Sequence, residues 1–126
     1  MLMDSDLLPI YKKALNNDPE AILKFGEILQ TGKGIVNDDA KAAEWYEKLL
    51  SFRKKIDFVD YALLYYWGAI AAWNRQDNKT ALKRLKKSYV LFLEKYPDEA
   101  ELEEQLQAHN FYSWYGYMAV NKDFNK

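Results

Sequence analysis

Residues 21–50, AILKFGEILQTGKGIVNDDAKAAEWYEKLL, read as two amphipathic helices joined by one glycine-marked loop. Asp18-Pro19-Glu20 supplies a cap, a proline at the first helical position and an acid in the first turn, so a helix starts there. Gly32 stops it after Thr31, because glycine adopts the left-handed conformation that ends helices at little cost. Asn37 or Asp38 then caps a second arm with Ala42, Trp45, Tyr46, Leu49 and Leu50 on one side and Lys41, Glu44 and Lys48 on the other. Such a hairpin cannot bury its apolar side alone and asks for others stacked on it.

The same periodic reading gives about six helices in all. Residues 4–16 form a first helix whose regular part begins near Pro9. Asp57 opens a fourth, running to about Arg75; Asp77-Asn78 opens a fifth, running to about Lys95; Tyr96-Pro97-Asp98 ends that one and starts a last helix through His109 and Gly116. Nothing reads as a strand. Laid on the first hairpin, the second matches Gly26 with Gly68, Phe25 with Trp67 and Ala42 with Ala81, across a shorter loop. Placing Gly116 under Gly68 makes the last helix the opening arm of an unfinished third unit, a lid on the stack.

The run Gly32-Lys33-Gly34-Ile35, then Asp38, Lys41-Ala42 and Trp45-Tyr46, resembles the Sel-one-like repeat, a branch of the tetratricopeptide-type helical hairpins. Phe25, Leu29 and Leu49-Leu50 stand where that family usually has leucine, tyrosine and an alanine pair. The resemblance implies an all-α fold, a short α-solenoid of stacked antiparallel helical hairpins. It further implies a protein-binding scaffold without chemistry of its own.

A chain of 126 residues predicts a single domain, 1–126, with one core. Eighteen basic against 19 acidic residues leave a net charge of −1 and no overall field for nucleic acid or an anionic membrane. No cysteine is present, which removes disulfides and thiol chemistry. The start MLMDSDLLPI places acids and a proline where a secretory signal has basic residues and an apolar run, so a cytoplasmic location is expected. The uncharged segment Tyr61–Asn74 is about 21 Å long as a helix, too short for a bilayer and suited to burial.

No catalytic, metal-ligating or cofactor-binding residues are expected. His109 is the sole histidine and reads as a packed one on a helical stripe with Leu102, Leu106, Gly116 and Val120. The Gly32-Lys33-Gly34 loop lacks the spacing and closing Lys-Ser or Lys-Thr of a phosphate-binding loop. Lys79, Lys83, Arg84, Lys86 and Lys87 read as a solvated helix face, since the aromatic residues that nucleic-acid binding would interleave fall mostly on other helices. The acids from Asp98 to Glu104 suit a helix N-terminus, and Glu103 and Glu104 also offer a patch for a basic partner.

If Gly26, Gly68 and Gly116 mark packed sides, the opposite sides carry Lys24, Glu27 and Thr31; Tyr66, Ala69 and Trp73; and Asn110, Trp114 and Tyr117. Those first-arm residues would line a groove with the makings of a binding hot spot. The resulting expectation is a non-catalytic protein binder: an immunity or inhibitor protein that neutralises a bacterial toxin, or a general adaptor or chaperone-like peptide binder. Its partner would be another protein, with no nucleic acid, no membrane and room for a homodimer.

Overall fold

The computed structural model describes residues 3–120 and is all-α. A 3-10 turn, Ser5–Leu7, leads into α1 (Leu8–Leu15), α2 (Pro19–Thr31), α3 (Asp39–Leu50), α4 (Tyr61–Asn74), α5 (Asn78–Lys95), α6 (Glu99–Ala108) and α7 (Phe111–Val120). Among the described residues no helix is long and apolar enough to cross a membrane. The chain divides into two compact units, Met1–Val59 and Asp60–Lys126.

In the first unit α2 packs between α1 and α3. Asp18 caps α2 by accepting the Glu20 N–H, and Gly32 closes it at φ 73°. Asp38, rather than Asn37, caps α3, accepting the Lys41 N–H at 3.0 Å. Asn37 instead ties the loop back, donating from its amide to the Leu29 carbonyl at 3.1 Å. Gly34 also takes positive φ, and its carbonyl accepts the Asp4 N–H at 2.7 Å, so Asp4 is pinned to the loop. The core here is mostly alanine, isoleucine and leucine, and at its edge the buried Phe25 ring meets the half-buried Tyr11 and Trp45 rings, with centroids 5.2 Å (Tyr11–Phe25), 5.4 Å (Phe25–Trp45) and 6.3 Å (Tyr11–Trp45) apart. Gly26 lies directly under the Tyr46 ring, where an added Cβ would stand 2.6 Å from the ring edge.

The second unit is built on the α4–α5 hairpin, with α7 packed on α5 and α6 on α7. Helix α4 has the span of the long uncharged segment and buries residues around most of its circumference, as a uniformly apolar helix must. Its cap is Asp60, which accepts the Ala62 N–H, and not the expected Asp57; residues 56–59 are closed into a turn by the Val59 N–H on the Ile56 carbonyl, leaving no helix for Asp57 to cap. Three polar links staple the hairpin: Lys95 to Asp60 at 2.6 Å, the buried Ser88 hydroxyl to the Ala62 carbonyl at 2.6 Å, and Arg84 to the Gly68 carbonyl at 3.0 Å.

The single last helix expected through His109 is two helices. His109 caps the end of α6, and Asn110 takes a left-handed φ of 54°, a conformation asparagine tolerates better than most residues. His109 therefore leaves the stripe it would have shared with Leu102 and Leu106. The placement of Gly116 under Gly68 also fails: Gly68 is buried, whereas Gly116 is exposed and an added Cβ there would meet nothing within 4 Å.

Candidate functional site

The break at Asn110 turns α7 back onto α5 and drives Phe111, 2% exposed, into the second unit. Around it gather Tyr89 at 5.7 Å, Tyr66 at 6.2 Å in a stacked arrangement, and Phe92 at 6.3 Å edge-on. Phe111 and Met118, one heptad apart, are the buried side of α7. The rest of the helix is then forced outward. Tyr112 and Tyr115, one turn apart, lean over α5 and with Lys86, Tyr89, Val90 and the edge of Phe111 enclose an open cleft of about 410 Å³. Its rim is apolar yet open to water: Tyr112 is 49% exposed, Val90 46% and Tyr115 39%, with Leu93 beside it at 42%.

Two polar features frame this cleft. Tyr112 donates its hydroxyl to Glu103 at 2.6 Å, which fixes the ring against α6 and pushes the phenol pKa up to about 12, the bond to the carboxylate being the main cause. On the α5 side, Lys79, Lys83, Lys86 and Val90 recur at intervals of three and four residues and so share one helix face. All four are exposed, and among the described residues none of the lysines makes an ion pair.

The residues anticipated from the sequence are distributed differently. Lys24, Glu27 and Thr31 are exposed on α2, and Trp73 is half-buried near the end of α4. Tyr66 is withdrawn from any binding face: it is 4% exposed, its hydroxyl donates to the His109 carbonyl, and burial pushes its pKa up to about 12. Ala69 beside it is fully buried. Asn110 serves the backbone turn. Trp114 and Tyr117 do come together, edge to face at 6.2 Å, but on a side of α7 away from the cleft-lining pair Tyr112 and Tyr115. Glu104 is exposed, while Glu103 reaches the cleft through Tyr112.

His109 sits half-buried between the rings of Tyr66 at 5.9 Å and Phe92 at 6.1 Å. Burial holds its pKa below the usual histidine value, partly opposed by the charge of Asp60.

The cleft went unread because its walls come from helices separated by a third, and only the fold joins them. One local signal was present: Val90 and Leu93 interrupt the otherwise charged outer face of α5. Compared with known proteins, the chain matches no family model, and no curated protein or solved structure matches it either.

Proposed function

We propose that this chain is a non-catalytic protein-binding module of helical hairpins, related in plan to the Sel-one-like and tetratricopeptide scaffolds, and that it seats apolar side chains of a partner in the α5–α7 cleft. The observation that carries this reading is the cluster of Tyr89, Val90, Tyr112 and Tyr115 around an open cleft. Tyrosines held rigid by neighbours cost little side-chain entropy on binding and supply both apolar area and a polar tip. A patch of partly exposed rings and aliphatic groups is also what soluble chains tend to avoid unless something covers it.

Neutralisation of a toxin, in the manner of an immunity protein, is the finer form of the proposal; a peptide-binding adaptor is its alternative. The two separate by kinetics. A neutraliser holds one partner with slow release, whereas an adaptor exchanges several quickly. The test is affinity capture from the native cell with the wild-type chain and with the double variant Val90→Arg, Tyr115→Ala, each first shown by circular dichroism to stay helical. A protein captured by the first and lost by the second supports the cleft. Equal capture by both removes it.

A further inference from the structure

We infer that the partner segment read by this cleft is acidic on one flank and apolar at its anchor, and that it lies along the outer face of α5. The inference rests on the protein-binding reading and adds the chemistry of the ligand. Lys79, Lys83 and Lys86 form a basic track that leads along one side of α5 straight into the apolar cleft at Val90. From Lys79 to Val90 the track is about 16 Å long, eleven residues at about 1.5 Å each. A partner whose carboxylates met these ammonium groups while a leucine or aromatic ring entered the cleft would match it in charge and polarity. In extended form about five residues would cover that length, at about 3.4 Å each.

Two other occupants fit less well. A second copy of this chain offers acids on α6 with Leu102 and Leu106 buried beneath them, and its acid-flanked exposed residues, Val36 before Asp38-Asp39 and Phe58 beside Asp57, are held in the α2–α3 loop and the 56–59 turn, where they cannot extend along α5. A single-stranded nucleic acid could use the lysines and stack on the tyrosines. The Glu103 carboxylate bonded to Tyr112, however, places negative charge at the cleft where a phosphate backbone would pass.

The experiment pans a random 16-residue peptide display library on the full chain, on Lys83→Glu/Lys86→Glu and on Val90→Arg/Tyr115→Ala, with all three checked for equal helical signal. Peptides enriched on the wild type should carry two or more acids beside a leucine or aromatic residue and should be lost on both variants. One such peptide, synthesised and titrated by fluorescence anisotropy, should bind Lys83→Glu/Lys86→Glu about tenfold more weakly at low salt. Replacing its acids with lysines should restore binding to that variant, and the gap should narrow as salt rises.

Cleft-dependent peptides without acidic bias, indifferent to the lysine variant, overturn the inference and leave the protein-binding function standing. No enrichment, or enrichment that survives Val90→Arg/Tyr115→Ala, overturns both. A concentration-dependent dimer in sedimentation that this cleft variant abolishes assigns the face to a second copy. Binding of an oligothymidylate lost in Lys83→Glu/Lys86→Glu assigns it to nucleic acid, and either result overturns the inference.

Discussion

The helices of the α2–α3 and α4–α5 hairpins are started in the same way, but the hairpins are sealed differently. Asp18 and Asp60 each accept the N–H two residues on, and Asp38 and Asp77 each accept the N–H three residues on, so the N-terminal caps coincide. Between the arms, the first hairpin closes chiefly by shape: Gly26 admits the Tyr46 ring, whose hydroxyl makes one polar link by donating to Gln30, and Phe25 joins the Tyr11 and Trp45 rings. The second closes by polar bonds from Ser88, Arg84 and Lys95 to α4. Capping sets where helices begin, and side-chain volume or bonding sets how closely they approach. A shape-sealed seam fails under small changes in volume, whereas a bonded seam fails under loss of a donor.

The largest expected effect is in the aromatic cluster around the buried Phe25 of the first hairpin. Phe25→Ala should cost about 3–5 kcal/mol, because a fully buried ring leaves a cavity that Tyr11 and Trp45 cannot fill. Urea unfolding followed by circular dichroism gives the magnitude, and faster amide exchange in α2 and α3 locates it. Full retention of stability would mean that the three rings are not the seal.

Gly26→Val should destabilise by about 1–3 kcal/mol, since its Cβ would collide with a buried tyrosine ring and force the arms apart. Gly116→Ala should do the reverse, gaining up to about 1 kcal/mol, because α7 loses a flexible residue and nothing stands where the methyl goes. A matching response at the two glycines would put Gly116 back against a partner. Thermal unfolding of the pair decides it.

Much of this contrast was legible in the sequence, and the reasons differ by element. Asp18-Pro19-Glu20, Gly32 and Asp77 carry their meaning locally, since a cap or a stop depends on a few adjacent residues. The start of α4 was also within reach: Gly26 and Gly68 are 42 residues apart, and the same offset carries Asp18 to Asp60 rather than to Asp57. The break at Asn110 was hidden because a left-handed asparagine looks like any other polar residue in a helical pattern. The cleft was beyond sequence reasoning in a stricter sense, since Tyr89 and Tyr112 lie on helices with α6 between them. Their meeting depends on the turn at Asn110.

In the bonded seam, Ser88→Ala should cost about 1 kcal/mol, the usual net value of one buried hydrogen bond, with little cavity because only a hydroxyl is removed. Chemical denaturation at neutral pH checks it. A loss as large as that of Phe25→Ala would show that the second hairpin depends on packing at this position as well.

The smallest effect belongs to His109, and its sign follows from its surroundings. Burial between Tyr66 and Phe92 holds the folded-state pKa below the ordinary value of 6.5, so the unfolded chain takes up the proton first as pH falls. Stability attributable to the neutral ring is then complete above about pH 6.5 and is lost as pH falls from there through the lower folded-state pKa. Asp60 works against this, because its carboxylate favours the charged ring and shortens the window. His109→Gln should therefore flatten the part of the urea-midpoint profile just below pH 6.5 while leaving the carboxylate-dependent fall at lower pH in place. Asp60→Asn should deepen the histidine step at the same time as it weakens the α4 cap and the Lys95 pair. If His109→Gln left the profile unchanged, the ring would have to be as well solvated in the folded chain as in the unfolded one. The second unit would then be more open around Phe92 than a bonded hairpin under an aromatic lid allows.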